Sequence, residues 1–192
     1  GRFEGFLSGE HGPVLAVTSM LAEGRYRDAG SGESPWRDLV FSGHALIYVQ
    51  PQGSTTHTFV TGTHFWLHDN IDQPHQLALG GEEGVRSYRD DEVPTGSSVV
   101  AFAEHRVNLK WFQPGMDLGF TVFGDLGRGW ANNVPFAVDT GWRAALGGGI
   151  RIGFPAGTRS VSHLEVAWPV GGPNEGRGPV FRTYWAPTFT SR

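Results

Sequence analysis

The sequence predicts an all-β fold, an antiparallel meander, on three observations. No segment sustains a 3.6-residue apolar period over about eleven positions, whereas apolar–polar alternation with period two recurs along the chain. The alternating runs are separated by clusters of Gly, Pro, Asn, Asp and Ser. Charged residues make up only 18% of the 192 residues while Phe, Trp and Tyr make up 12%, a balance opposite to that of a disordered chain.

The breaks delimit nine strands, at residues 12–22, 38–50, 55–67, 74–80, 97–109, 116–126, 141–154, 159–169 and 179–189. Turn chemistry joins the second to the third at Pro51-Gln52-Gly53-Ser54 and the third to the fourth at Asn70-Ile71-Asp72. Gln113-Pro114-Gly115, Pro155-Ala156-Gly157 and Gly171-Gly172-Pro173-Asn174 turn the chain again later. Two connections are longer, at 23–37 and 81–96. No helix stands between strands, so a βαβ unit is excluded. Most of the runs are longer than the roughly five or six residues of a globular strand and match the about 9–11 tilted residues that cross a bilayer.

The faces of the later strands differ in kind. In 116–126, Leu118, Phe120 and Val122 oppose Asp117, Thr121, Phe123 and Asp125. In 141–154, Ala144, Leu146, Ile150 and Ile152 oppose Arg143, Gly147, Gly149, Arg151 and Gly153, and in 159–169 Leu164, Val166 and Trp168 oppose His163 and Glu165. A soluble sandwich turns abundant Lys and Glu to water. Here the polar face is sparse and glycine-rich, as the crowded interior of a barrel would be. Gly147-Gly148-Gly149 inside a strand predicts a close backbone approach or a bend. Leu118, Phe120, Val122, Leu146, Ile150, Ile152, Leu164 and Val166 are therefore expected to face lipid, and Asp117, Asp125, Arg143, Arg151, His163 and Glu165 to face inward. Aromatics collect at strand ends (Trp36, Tyr48, Trp66, Trp111 with Phe112, Trp130, Trp142, Trp168, Tyr184 with Trp185), where interfacial girdles sit. Nine is an odd count and leaves two bare edges, which predicts further chain, a second copy, or a merged pair among the early strands.

Composition removes other classes. With no cysteine there is no disulfide scaffold, thiolate metal site or cysteine nucleophile. A net charge of −4 gives no basic footprint, so nucleic acid is not an expected partner. The longest apolar runs, Ala45–Val49 and Val99–Ala103, are too short for a spanning helix. The chain opens Gly1-Arg2-Phe3 without a leader, so any export signal was removed or lies outside it. His57, His64, His68 and His75 fall close together, but strand alternation puts His57 and His64 on opposite faces, so no metal or other cofactor is expected. No nucleophile elbow, P-loop or zinc-protease motif occurs, and the acidic run Asp90-Asp91-Glu92 reads as solvated, so no catalytic residue is expected.

From Leu77 to Trp130 the sequence becomes specific. The stretch Leu77-Ala78-Leu79-Gly80-Gly81-Glu82-Glu83-Gly84-Val85-Arg86-Ser87-Tyr88 resembles the inward-folded loop of the bacterial surface antigen family, the outer-membrane assembly factors and two-partner secretion transporters. Glu104-His105-Arg106 is similar to that family's Glu-x-Arg strand, and Phe123-Gly124-Asp125-Leu126-Gly127-Arg128-Gly129-Trp130 to its Phe-x-Asp-x-Gly strand. Five strands follow the loop here, as five follow it in the family's sixteen-stranded barrel.

The resemblance implies that residues 1–192 are one partial domain, the carboxy-terminal half of a transmembrane barrel, with the loop at about 81–96 folded inward. It implies a location in the outer membrane of a Gram-negative bacterium, a lipid bilayer and polypeptide substrates as partners, and periplasmic domains upstream of this chain. The implied activity is insertion or translocation of polypeptides, without enzymatic chemistry. Two alternatives stand beside it: a barrel anchoring a fused lipase-type domain, and a soluble all-β ligand-binding module.

On that loop, Arg86 needs a carboxylate, because breaking a buried ion pair costs about 3–5 kcal/mol. Asp125, on the inward side by alternation with Thr121 and Phe123, is the expected clamp partner, and the resemblance picks the same pair. Glu104 is the expected second acceptor, and Tyr88 is expected to pack on the same wall. Gly80, Gly81 and Gly84 let the loop turn back tightly, while Phe123 and Gly127 belong to the wall motif. Ser87 stands where the family has Gly, so its backbone either avoids the left-handed region or is strained there.

Overall fold

Because successive side chains of an extended backbone point to opposite faces, these alternating runs make a sheet with two unlike surfaces. A computed structural model describes residues 2–9, 12–26, 35–70, 77–81, 83–109, 115–158 and 160–187. Its strands are β1 (Arg2–Gly9), β2 (Gly12–Tyr26), β3 (Trp36–Val49), β4 (His57–Asp69), β5 (Leu77–Ala78), β6 (Pro94–Thr95), β7 (Ser97–Leu109), β8 (Asp117–Trp130), β9 (Arg143–Gly153), β10 (Ser160–Gly171) and β11 (Val180–Pro187). No helix occurs among the described residues.

Nine strands form one antiparallel meander in the order β1-β2-β3-β4-β7-β8-β9-β10-β11. The expected count of nine stands, but its membership changes. Residues 2–9 form a strand that Gly5 and Gly9 concealed, pairing Arg2–Gly9 with Gly12–Ser19. The expected strand at 74–80 is instead the two-residue β5, which pairs with β6 outside the main sheet. Its apolar Leu77-Ala78-Leu79 run is the start of the inward loop, and Leu79 is completely buried beneath it. β2 runs on to Tyr26 and β8 to Trp130, past their expected ends at 22 and 126, while 97–109 is reproduced. Ile71, Asp72, His75, Trp111, Phe112, Gln113, Pro114 and the end of the last expected strand beyond 187 lie outside the described residues.

Among the described residues the sheet is open: β1 hydrogen-bonds only to β2, and β11 only to β10. No pair of early strands merges, so the described residues by themselves keep the odd count and both edges. The sheet nevertheless curls strongly. A cavity of about 120 Å³ is lined both by Tyr48 and Val60 of β3–β4 and by His163, Tyr184 and Ala186 of β10–β11.

Its two surfaces are inverted relative to a water-soluble protein. On the outer rows Phe120, Val122, Leu146, Ile150 and Leu164 are exposed, Val122 at 58%. Leu118, Ile152 and Val166 on the same rows are half-buried. Phe181 and Trp185 continue this surface on β11 at 79% and 70%. No second sheet packs on these rows among the described residues, since β5 and β6 belong to the loop. Facing inward and buried are Asp125, Arg143, Arg151, His163 and Glu165. Asp117 departs from expectation: it lies at the strand end, exposed, where its carboxylate accepts the Gly157 N–H at 2.6 Å. Tyr48 and Trp66 also depart from the girdle reading, because alternation puts them on the inner rows with Val60 and His64, as it does Tyr184 with Ala186. Trp36, Trp142, Trp168 and Trp185 are exposed.

Inside, Val17, Leu46, Tyr48 and Val60 form one apolar cluster across β2–β4. A second, of Leu79, Val85, Tyr88, Val100 and Ala145, glues the loop to the wall. The glycine run of β9 makes room for this filling: a Cβ on Gly147 would stand 2.4 Å from the Phe123 ring.

Candidate functional site

The loop between β5 and β6 folds against the inner face and is held first by its own backbone. Leu79 N–H donates to the Val93 carbonyl at 3.0 Å, Val85 N–H to Leu79 at 2.8 Å and Tyr88 N–H to Val85 at 3.0 Å. Gly81 sits at φ +107°, open to glycine and strained for other residues. A Cβ on Gly80 would lie 1.9 Å from the Arg89 carbonyl oxygen, and one on Gly84 2.2 Å from that of Leu79. Ser87 is outside the left-handed region, so its backbone carries no strain there. The β-branched Val93 takes the left-handed conformation instead, at φ 65°, an arrangement costing on the order of 1–3 kcal/mol.

This turn delivers Arg86 to the wall. Its guanidinium donates to Asp125 at 2.7 Å from Nη2 to Oδ1 and 3.0 Å from Nε to Oδ2. The Arg86 backbone N–H donates to the same carboxylate at 3.0 Å, so Asp125 fixes the main chain as well as the side chain. Nη1 reaches Glu104 at 3.4 Å and Glu165 at 3.5 Å. The guanidinium carbon lies 3.3 Å from the centroid of the Phe123 ring, a stacked cation–π contact. Arg86 is 5% exposed and Asp125 4%. Burial alone would lower the Arg86 pKa, but the hydrogen bond and charge of Asp125, with the charges of Glu104 and Glu165, outweigh it and raise the pKa above its ordinary value. The guanidinium is therefore a permanent cation in the clamp.

Glu104 and Glu165 have further support. Glu104 accepts from Arg106 Nε at 2.8 Å and from the Thr121 hydroxyl at 2.7 Å. Glu165 accepts the Tyr184 hydroxyl at 2.8 Å, with His163 Nδ1 at 3.4 Å. Tyr88 is fully buried and lies beneath Arg143, whose guanidinium carbon is 5.0 Å from the ring centroid. At Gly127 the wall and loop nearly touch: a Cβ there would lie 2.6 Å from a Val85 methyl.

The structure thus brings together Arg86, Asp125, Glu104 and Phe123, with Tyr88 and Gly127 beside them. Sequence reasoning expected Glu165 on the inner face but missed its part in the clamp; its only signal was alternation with His163. It took Asp90, Asp91 and Glu92 as solvated, and Asp90 and Asp91 are exposed while Glu92 is half-buried. Asp90 pairs with Arg182 of β11, and Glu92 accepts from Asn174 at 2.9 Å and Arg177 at 3.2 Å. These contacts tie the loop to the last hairpin, since Arg182 also donates to the Tyr88 carbonyl at 3.2 Å.

The other described histidines lie apart from the clamp or line its approach. His57 stacks on His105 with ring nitrogens 3.1 Å apart, on the outer side. His44 and His64 face each other across β3 and β4 on the inner side, ring centroids 5.8 Å apart. Among the described residues no group of three His, Asp or Glu side chains is arranged to hold a metal ion. Neither a family model nor a curated protein nor a solved structure matches the chain.

Proposed function

We propose that the chain is part of an outer-membrane β-barrel of the surface antigen type, which inserts or translocates polypeptides, with the clamped loop set in its lumen. The observation that carries this reading is the pairing of an inverted sheet with a loop fixed to its polar face. Outward-pointing Phe120, Val122, Leu146, Ile150, Leu164 and Phe181 make an apolar surface without a protein cover, while guanidiniums and carboxylates fill the interior. The same inversion disfavours a soluble ligand-binding module, which would expose its charges and bury its aliphatic rows. In this reading, further strands or another chain complete the ring at the β1 and β11 edges, and the bilayer covers the outer rows. The barrel itself carries no catalytic chemistry; the lumen guides or admits an extended polypeptide past the loop.

The test uses the full chain refolded into lipid vesicles and presented with an unfolded β-barrel polypeptide, whose folding is followed by protease protection. Folding of the client should be faster than in empty vesicles, and the gain should vanish in Arg86→Ala. Stable insertion without any gain would remove the transport reading. Failure of the chain to partition with the vesicles would remove the membrane reading as well.

A further inference from the structure

On β8 the outer row runs Leu118, Phe120, Val122, Gly124, Leu126, Arg128 and Trp130, so an apolar surface carries a single cation near its end. Gly127 and Gly129, its chain neighbours, are buried on the inner face, which fixes Arg128 on the outer one. The guanidinium carbon stands 5.3 Å from the centroid of the Trp130 ring. β8 pairs Gly127 with Arg143 at the start of β9, and Trp142, the next residue back along the chain, is exposed at the same end of the sheet. On the other side Arg128 pairs with the apolar Val99 of β7. No carboxylate among the described residues forms an ion pair with it, and its Nε is buried without a hydrogen-bond partner.

We propose that Arg128, beside Trp130, binds the phosphate of an anionic membrane lipid at the end of the sheet that carries the longer connections. The inference rests on the membrane reading above. Tryptophans on a lipid-facing surface mark the level of the headgroups, where a cation is tolerated far better than at mid-depth. A guanidinium presents a planar donor fork suited to a phosphate, and this one has no acidic partner of its own. The source is a lipid rather than a free ion because the apolar surface continues directly below the cation. Leu126 and Val122 offer the acyl chains a place that inorganic phosphate cannot use.

The test is native mass spectrometry of the full chain in detergent, titrated separately with phosphatidylglycerol and phosphatidylcholine, for the wild type, Arg128→Gln and Arg128→Lys. Arg128→Gln should weaken phosphatidylglycerol binding on the order of tenfold, toward the level of phosphatidylcholine. Arg128→Lys should keep part of the preference, and millimolar inorganic phosphate should not displace the lipid. Unchanged phosphatidylglycerol binding in Arg128→Gln overturns the proposal, and so does displacement by free phosphate. Insertion of all three proteins into pure phosphatidylcholine vesicles separates the two failures. Insertion with no effect of Arg128 sinks the lipid site alone, whereas no insertion sinks the membrane reading and this site with it.

Discussion

Removing Arg86 should cost more than removing its principal partner, because the carboxylates around it are unequally supported. In Arg86→Ala, Glu104 keeps Arg106 and Thr121, and Glu165 keeps the Tyr184 hydroxyl. Asp125 keeps only the backbone N–H of residue 86. A buried carboxylate stripped of its cation costs about 3–5 kcal/mol, and the lost stack on Phe123 adds about 0.5–2 kcal/mol. Asp125→Ala leaves Arg86 two acids, at 3.4 and 3.5 Å, so its loss should fall near the lower limit, about 3 kcal/mol. The double variant removes the stranded Asp125 charge and leaves Glu165 as it is in Arg86→Ala, held by the Tyr184 hydroxyl, so the coupling between the two sites should reach about 2–3 kcal/mol. Urea unfolding in lipid vesicles, followed by tryptophan fluorescence, measures all four corners of the cycle. Losses that add to within about 0.5 kcal/mol, or Asp125→Ala proving the worse of the two, would refute the clamp as the loop's main anchor.

Three further outcomes follow from the same geometry. Val122→Arg, on the exposed outer row, should destabilise the vesicle-inserted protein by about 2–4 kcal/mol if the position is at mid-depth, and no change in its unfolding midpoint would count against a lipid contact. Gly127→Ala should cost about 1–3 kcal/mol by overpacking, since the new methyl would meet Val85 at 2.6 Å and both Leu79 and Val100 at 3.3 Å; faster proteolysis at Arg89 should accompany it. Ser87→Ala should raise stability by about 1 kcal/mol, because the buried Ser87 hydroxyl has no partner. A loss there instead would mean that the hydroxyl is satisfied.

Much of this was legible where side chains alternate strictly. The rows of β8, β9 and β10 could be assigned from Phe120, Val122, Ile150 and Leu164 alone, because period two leaves no third direction to point. Arg86 and Asp125 could be paired because the resemblance implied an inward loop, where a cation requires an acid, and alternation put Asp125 on that side. The mistakes have physical causes. Leu77-Ala78-Leu79 has the apolar content of a strand, yet that content is used to bury the loop's root under Tyr88 and Val100. Arg2–Gly9 is punctuated by glycine, so its pairing with β2 decides its state more than its own propensity does. Glu165 joins Arg86 only because the sheet curls enough to bring β10 over the loop, and curvature leaves no mark in a local pattern. Arg182 reaches Asp90 for the same reason.

The central claim, that the apolar rows meet lipid and the charged rows enclose the loop, is tested most directly by scanning β8 with cysteine. The chain has no cysteine of its own, so single substitutions at positions 118 to 126 report without background. In lipid vesicles, residues 118, 120, 122 and 126 should resist a water-soluble maleimide, and a fluorophore attached at them should be quenched by a lipid-soluble quencher. Residues 119 and 121, buried on the inner face and labelled before refolding, should escape the lipid-soluble quencher, giving a period of two along the strand. Equal quenching on both rows, or quenching of the odd row alone, would contradict the account.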